Sequence, residues 1–308
     1  MISRNNKIAI IGAGYMAEEY LKVLSKKKIW CEAIYSTTLS KCERLKKKYK
    51  IRKIYQDFDE LKNVQNLIIA INDVSTLQTL KRLNLSKYKI LCEKPVGVSF
   101  NETKKISLMI KKNKSNFFVG LNRRFYSSTI NVTQLIKQNS GKRIIHIQDQ
   151  QMQNTKNSFV NKNVMYCNSV HLIDYIMIFA RGKLTKLNKI KNFKNKKFSE
   201  HTTKLIFSSK DEVLYNCNWN SPGAWSVNII QNNQRCELNP LEDLMFEKFE
   251  NKKRKRLSFK RLKIDKDFKP GIYNQVGEFL KMLKNKKNKL VKFEEYFETV
   301  KLIKKIYA

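Results

Sequence analysis

The 308-residue sequence has little of several residue types that would each point to a particular class of protein. Its six cysteines include no Cys-x-x-Cys pair and have no histidine at metal-ligand spacing, so we expect reduced thiols and no metal site. Only His146, His171 and His201 are available for histidine chemistry. No stretch approaches the roughly 18 consecutive apolar residues of a membrane helix, and the first residues lack the apolar core of a signal peptide. These absences predict a cytoplasmic protein without a membrane partner.

Acidic residues are scarce beside basic ones. The chain has 26 Asp and Glu against 63 Lys and Arg, a formal net charge of +37. Such a charge raises nucleic acid as a partner, because Lys and Arg neutralise phosphates. The densest basic runs, 252–256 and 260–263, could form a phosphate-binding strip. Lysine is nevertheless spread over every predicted helix, and a charge run is usually a solvated surface. The pattern therefore favours a solvated surface over nucleic-acid binding.

Short apolar runs alternate with helical patterns up to residue 121. The runs of strand length are 7–11, 31–35, 66–71, 89–92 and 117–120. Strands separated by helices need crossover connections, which build a parallel sheet with helices on both faces. After residue 121, longer alternating segments around one apolar helix at 169–180 indicate antiparallel hairpins, which pair 202–207 with 212–219 and 225–231 with 234–238. We therefore predict an α/β chain in which a parallel-sheet domain, 1–121, precedes an α+β domain, 122–308, with a large open antiparallel sheet.

The predicted second domain also bears on assembly. An antiparallel sheet that is open on one face leaves an apolar patch in water unless another molecule covers it. We therefore expect a homo-oligomer formed through this sheet, and the second domain is predicted to bind the substrate as well. The terminal helices of the chain could pack back on the first domain.

A glycine-rich turn directly follows the first strand. Residues 7–17 read KIAIIGAGYMA, in which Gly12 permits a tight turn and Gly14 lets the backbone approach a pyrophosphate. Ala17 is small enough for the following helix to pack on the sheet, and the start of that helix offers free N–H groups to an anion. This pattern predicts a Rossmann domain that binds a dinucleotide. The residues expected at the phosphates are Gly12, Ala13, Gly14, Tyr15 and Met16.

The end of the second strand bears on the choice between NAD and NADP. An Asp or Glu there would bond the ribose hydroxyls of NAD, whereas this chain has Ser36, Thr37 and Thr38, with Lys41 and Arg44 following. Hydroxyls and a nearby cation can accept a 2′-phosphate, so NADP is favoured over NAD, unless these residues merely begin a turn. The remaining predicted cofactor contacts are Ile71, Asn72, Glu93 and Lys94.

Lys94 stands at the end of an apolar run, in the order Glu93-Lys94-Pro95. A lysine in such a position needs a partner, and the carboxyl edge of a parallel sheet is where such sheets bind ligands. With the glycine turn, the run Asn122-Arg123-Arg124-Phe125 and the helical segment 168–174, the chain resembles the glucose-fructose oxidoreductase, inositol dehydrogenase and rhizopine-catabolism (Gfo/Idh/MocA) family over nearly its whole length.

The resemblance implies an NAD(P)-dependent dehydrogenase or reductase. A hydride would pass between a nicotinamide and a carbinol or carbonyl carbon of a sugar, cyclitol or nucleotide-sugar-like substrate. Matched position by position, Lys94 would bond the reacting oxygen, and His171 would give or take the proton. In this family the peptide bond at the position of Lys94 and Pro95 is often cis.

Six further residues are candidates for substrate contact: Arg123, Arg124, Tyr126, Asn168, Trp219 and Trp225. The two arginines suit an anionic substrate or the cofactor, and a structural ion pair fits them equally well. The sequence departs from the family at Cys167, where members often place an Asp four residues before the histidine, and a neutral thiol does not stabilise an imidazolium. The alternative hypothesis is therefore an NADP-binding homologue with weak or no turnover that acts as a sensor or regulatory protein.

Overall fold

A computed structural model of the chain describes residues 7–151, 163–194 and 199–308. The chain divides into two compact units. The first comprises residues 1–122 and 267–298, and the second comprises residues 123–266 and 299–308. The predicted α/β class is confirmed, because a parallel sheet lies in the N-terminal part and a mostly antiparallel sheet of eight strands in the C-terminal part.

The strands and helices have the following bounds. The strands are β1 Ile8–Ile11, β2 Cys31–Tyr35, β3 Lys53–Tyr55, β4 Asn66–Ile69, β5 Lys89–Glu93, β6 Asn116–Gly120, β7 Arg143–Gln151, β8 Leu184–Lys194, β9 Ser199–Phe207, β10 Glu212–Trp219, β11 Ser226–Gln231, β12 Gln234–Leu238, β13 Leu244–Glu250, β14 Lys253–Phe259 and β15 Val291–Lys292. The α-helices are α1 Tyr15–Lys26, α2 Leu39–Tyr49, α3 Thr76–Lys81, α4 Phe100–Lys112, α5 Ser127–Lys137, α6 Val170–Phe179, α7 Lys263–Asp267, α8 Ile272–Leu283 and α9 Phe293–Tyr307.

The first sheet has the order β15-β6-β5-β4-β1-β2-β3, and only β15 in it runs antiparallel to its neighbour. All four residues of β1 are buried, as expected for a strand covered by helices on both faces. Helix α4 is capped by Ser99, whose hydroxyl accepts a hydrogen bond of 3.2 Å from the N–H of Glu102. The carboxyl ends of β1, β2, β4 and β5 share one edge of this sheet, and the predicted cofactor residues follow them there.

The second sheet has the order β14-β13-β12-β11-β7-β10-β9-β8. Its pairs are antiparallel except for β7 and β10, which pair in parallel. Residues alternate along β10 between buried side chains on one face, such as Tyr215 and Trp219, and half-exposed ones on the other, such as Leu214 and Asn216. Helix α6 packs against β7. This helix carries His171.

The dense basic run forms part of the edge strand β14, which sequence reasoning missed. Its charges are partly neutralised across the sheet, because Arg254 pairs with Glu247 and Lys255 with Glu250 of β13. Alternating charged residues give little apolar periodicity, so the pattern did not indicate a strand. Within the part of the chain that the structure describes, no helix has both the length and the apolar character needed to cross a membrane.

Candidate active site

The turn after β1 accepts only glycine at position 12. Gly12 has a φ of +113°, in the left-handed region that side chains rarely adopt. A Cβ added there would lie 2.0 Å from the carbonyl oxygen of Ala70 and 3.3 Å from Cγ2 of Ile71. The Gly12 N–H donates a hydrogen bond of 2.8 Å to the carbonyl oxygen of Tyr35. Gly12 is therefore wedged between the chain ends of β2 and β4, which explains the tight turn and places Ile71 beside it.

Gly14 lacks a side chain for a different reason. It caps α1 in an extended conformation, with φ −86° and ψ −171°, and a Cβ added there would meet nothing within 4 Å. The fold does not need glycine at this position, whereas a phosphate approaching the first N–H groups of α1 would need the space. The exposed residues Gly14 and Tyr15 border this space. The geometry therefore fits the pyrophosphate of a dinucleotide.

The segment after β2 carries hydroxyl side chains and is followed by two cations, Lys41 and Arg44. The Thr38 N–H donates a hydrogen bond of 3.3 Å to the Ser36 hydroxyl, which shapes the turn before α2. Arg44 donates to both carboxylate oxygens of Glu18, at 2.7 and 3.3 Å, and Lys48 donates to the same group at 2.7 Å. These two cations lower the pKa of Glu18 to about 2.

Lys41 differs from Arg44 in having no such acid beside it. Lys41 is exposed and forms no ion pair with any residue that the structure describes. Thr37 and Thr38 are exposed as well. Of the two cations that follow the second strand, Lys41 is thus the one available to a ligand, because Arg44 is held by Glu18.

Asn72 shapes the segment after β4. Its side-chain Oδ1 accepts a hydrogen bond of 3.3 Å from the N–H of Val74 and so caps a short 3-10 turn at Asp73–Ser75. Burial raises the pKa of Asp73, and the nearby charge of Lys94 opposes that rise. The Asp73 carboxyl and the Lys94 ammonium therefore act on each other at the carboxyl edge of the first sheet.

Lys94 follows β5 and is half-buried, and its peptide bond to Pro95 is cis. The preceding residue, Glu93, is only 8% exposed and accepts a hydrogen bond of 2.5 Å from the Tyr20 hydroxyl. Burial raises the pKa of Glu93 to about 6, while the Tyr20 hydrogen bond and the charges of Lys94 and Lys269 oppose the rise. The ammonium is thus stabilised by two acids, Glu93 and Asp73, of the same unit.

His171 lies in the second unit, in the first turn of α6, and is 5% exposed. A π-helical turn, Met165–Ser169, leads directly into this helix and contains the buried Cys167. Turns of this kind are frequent at functional sites. The ring centroid of His171 lies 6.5 Å from that of Trp225. The imidazole is thus placed beside an aromatic side chain that comes from a distant part of the sequence.

The two arginines after β6 have different surroundings. Arg124 donates two hydrogen bonds of 2.7 Å to the carboxylate of Asp174, which also accepts one of 3.0 Å from Thr299. Asp174 is thereby occupied within its own unit. The guanidinium carbon of Arg123 instead lies 4.0 Å from the centroid of the Trp225 ring.

Arg123 and Trp225 line a cavity of about 360 Å³ in the second unit. Asn168, also predicted to contact substrate, lines the same cavity. Tyr126 is buried next to Arg123, whose charge opposes the rise that burial causes in the pKa of Tyr126. Sequence reasoning missed the other lining residues, which come from separate segments without a recognisable motif: Gln150, Pro240, Leu241 and Glu242.

Comparison with known proteins agrees with this arrangement. Residues 6–121 match the oxidoreductase family with an NAD-binding Rossmann fold, Gfo/Idh/MocA. No curated protein matches the chain. Many solved structures have the same fold.

Three solved structures illustrate the likeness. One, from Desulfitobacterium hafniense, is an oxidoreductase for which NADPH dependence has been suggested; it is 17% identical, with a TM-score of 0.82 over 99% of this chain and 95% of that one. A UDP-N-acetylglucosamine 3-dehydrogenase from Acidithiobacillus ferrooxidans is 9% identical, with a TM-score of 0.78 over 98% and 96%. A protein from Sinorhizobium meliloti, suggested to be a myo-inositol dehydrogenase, is 12% identical, with a TM-score of 0.74 over 97% and 95%.

The fold and the glycine turn of residues 6–121 are those of the oxidoreductase family with an NAD-binding Rossmann fold. Residues 6–121 match the Gfo/Idh/MocA family model, and solved structures 9–18% identical share the fold along almost the whole chain. The resemblance noted from the sequence motifs is thus confirmed.

Proposed function

We propose that this protein transfers a hydride between a nicotinamide cofactor and a carbinol or carbonyl carbon of a sugar, cyclitol or nucleotide-sugar-like substrate. The observation that carries the proposal is Lys94, a half-buried ammonium beside Glu93 and Asp73 at the edge of the sheet where the glycine turn also lies. A bound nicotinamide would supply the hydride chemistry. The protein would supply orientation, charge and a route for the proton.

Lys94 and His171 are assigned separate roles in this proposal. The Lys94 ammonium donates a hydrogen bond to the reacting oxygen and stabilises the negative charge that develops there during oxidation. His171 accepts the hydroxyl proton, because a hydride leaves an alcohol only if its proton is removed as well. In the reverse direction the same two groups polarise a carbonyl and return the proton.

We favour NADP over NAD as the cofactor. The support is the absence of a carboxylate in the segment 35–38 after β2, together with the exposed hydroxyls of Thr37 and Thr38 and the exposed ammonium of Lys41. A carboxylate in this segment would repel a 2′-phosphate, whereas hydroxyls and a cation attract one. The suggested NADPH dependence of the Desulfitobacterium hafniense protein is consistent with this preference.

Two further parts of the proposal concern the second unit. Arg123, Tyr126 and Asn168 are proposed to contact the substrate, and Arg124 to support them through its ion pair with Asp174. The outer face of the second sheet is proposed to bind a second copy of the chain, because half-exposed side chains alternate along it. Light scattering on the purified protein tests this assembly, and a monomeric mass would contradict it.

The main proposal is tested by measuring whether turnover depends on both Lys94 and His171. A panel of polyols, sugars, sugar acids, sugar phosphates and nucleotide sugars is assayed with NADP⁺ and NAD⁺. Lys94→Met and His171→Gln are each expected to lower kcat/KM by about 100-fold or more. In His171→Gln the NADPH affinity, measured by nicotinamide fluorescence, should stay within about threefold.

Two exposed residues provide matched controls. Lys87→Met and His146→Gln should leave turnover unchanged, since both side chains are exposed and neither is among the predicted site residues. Cofactor binding without any turnover that depends on Lys94 would contradict the enzymatic proposal. It would favour the sensor hypothesis, for which Cys167 is the supporting feature.

A further inference from the structure

The cavity next to Trp225 has one strong polar feature. It measures about 360 Å³ and lies entirely within the second unit. Pro240 and Leu241 form apolar parts of its wall, and Arg123 contributes a guanidinium. A guanidinium at the wall of a cavity can contact a bound ligand directly, and hydrogen bonds between charged groups are about twice as strong as those between neutral ones.

The Arg123 guanidinium has hydrogen-bonding capacity to spare. Its Nε and Nη1 are buried and make no hydrogen bond with any residue that the structure describes. Nearly all buried polar groups in proteins are satisfied, so two such nitrogens on one side chain require an explanation. The N–H groups of Arg124, the next residue, are satisfied in the usual way, because two of them donate hydrogen bonds to Asp174.

Stacking holds the Arg123 side chain in place. Its guanidinium carbon lies 4.0 Å from the centroid of the Trp225 ring. A guanidinium stacked in this way keeps its edges open, and those edges match the geometry of carboxylate and phosphate oxygens. The stacking contact therefore fixes the plane of the guanidinium, while Nε and Nη1 make no hydrogen bond with the described residues.

The acids around the cavity are engaged elsewhere. Glu242 lines the cavity but pairs with Arg261 at 3.5 Å. Asp149 is fully buried and accepts a hydrogen bond of 2.6 Å from the Tyr215 hydroxyl. Burial raises the pKa of Asp149, and the Arg123 charge only opposes that rise. Arg123 forms no ion pair within the described part of the chain. Its positive charge is therefore available to an anionic ligand.

We propose that Arg123 binds an oxyanion of the substrate, a carboxylate or a phosphate, and that the substrate is consequently an acidic sugar derivative and not a neutral polyol. This inference rests on the proposed function for the reaction at the carbinol. It narrows that function to one substrate class. Trp225 positions the guanidinium, and Asn168 lines the same cavity as a neutral neighbour.

Kinetics with matched substrates test the inference. Glucose, glucuronate and glucose 6-phosphate share a ring and differ in one group, so their kcat/KM values separate a neutral, a carboxylate and a phosphate ligand. An anionic member is expected to exceed glucose by about 10- to 100-fold, the usual range for a hydrogen bond to a charged group. Arg123→Gln should abolish that preference by lowering kcat/KM for the anionic substrate to about the value for glucose. Arg256→Gln removes an exposed arginine of the same unit and serves as the control.

A binding measurement without turnover separates this inference from the proposed function. The tryptophan fluorescence of the full chain is titrated with inorganic phosphate and, separately, with acetate, with chloride added to equal ionic strength. A saturable change that disappears in both Arg123→Lys and Trp225→Phe supports the anion site, even if no substrate is turned over. A change produced by phosphate indicates that the substrate group is a phosphate, and a change produced by acetate indicates a carboxylate.

Two results would overturn the inference. One is a fluorescence signal that neither anion changes; the other is kcat/KM for glucose equal to or above both anionic values. If either occurred while turnover still depended on Lys94, the proposed function would stand and only the acidic substrate class would be lost.

Discussion

The Tyr20 hydroxyl donates a hydrogen bond of 2.5 Å to a carboxyl oxygen of Glu93, and both side chains are buried. Tyr20 lies on α1, the helix that begins at the glycine turn, whereas Glu93 ends β5 and directly precedes Lys94. The hydrogen bond therefore joins the helix proposed to bind the phosphates to the strand that carries the proposed catalytic lysine. Glu93 is thus a buried acid of the first unit, and its pKa is raised by that burial.

The first prediction concerns pH and Glu93. Burial raises the pKa of Glu93 from 4.5 to about 6, so the folded state holds this proton more tightly than the unfolded state. Its contribution to stability is complete below pH 4.5 and is lost as pH rises through 6. A shift of this size corresponds to about 2 kcal/mol. Between pH 4.5 and 7, the free energy of unfolding of the unaltered protein should therefore fall by about 2 kcal/mol relative to that of Glu93→Gln, which has no carboxyl at this position to titrate.

Urea unfolding at several pH values measures this difference. Parallel profiles for Glu93→Gln and the unaltered protein would show that the Glu93 carboxyl is not perturbed as described.

The second prediction separates the two glycines of the turn. Gly14→Val places a side chain in open space, so the free energy of unfolding should change by no more than about 1 kcal/mol, while NADPH affinity falls at least about tenfold. Gly12→Ala meets the Ala70 carbonyl and an unfavourable φ, and should destabilise the fold by about 2 kcal/mol or more. Thermal melting and nicotinamide fluorescence measure the two effects. Unchanged NADPH affinity in a folded Gly14→Val protein would place the cofactor elsewhere.

The sequence predicts the first unit well because its signals are local. A buried strand, a glycine turn and an amphipathic helix follow one another within the range 7–26, and the structure has them in that order. The hairpins formed by β9 with β10 and by β11 with β12 are also confirmed, since alternation and short turns specify them.

The pairing of distant segments could not be predicted in the same way. The parallel contact of β7 with β10 joins β7 to a strand of the distant hairpin formed by β9 and β10, and no local pattern encodes it. The same holds for the cavity of Arg123, which needs Trp225 and Leu241 from loops far along the chain. The sequence identified the two arginines, yet their different partners emerge only from packing against Asp174 and Trp225.

The third prediction concerns cofactor choice. Lys41→Gln removes an exposed cation and should weaken NADPH binding by about 5- to 10-fold without changing NADH binding, because only NADPH carries the 2′-phosphate. The effect should shrink as salt is raised. Arg44→Gln is the matched control and should leave the ratio of the two affinities unchanged, since Arg44 is paired with Glu18. Equal loss of NADH and NADPH affinity in Lys41→Gln would contradict the assignment.

The last prediction compares the two neighbouring arginines by stability. Arg124 and Asp174 form a pair whose side chains are 15% and 4% exposed, so Arg124→Gln leaves a buried carboxylate without its main partner. Removing one member of such a pair costs about 3 kcal/mol or more. Arg123→Gln should instead be neutral or slightly stabilising, because it removes buried N–H groups that make no hydrogen bond with the described residues.

Denaturant unfolding of both variants gives the comparison directly. The double variant Arg124→Met with Asp174→Leu should recover much of the loss, since replacing both members of a buried pair leaves no unpaired charge. The exposed pair of Arg235 and Glu237 is a control, because Glu237→Gln should cost less than about 1 kcal/mol. A large loss of stability in Arg123→Gln would mean that Arg123 holds the fold together, and its N–H groups would then not be reserved for a ligand.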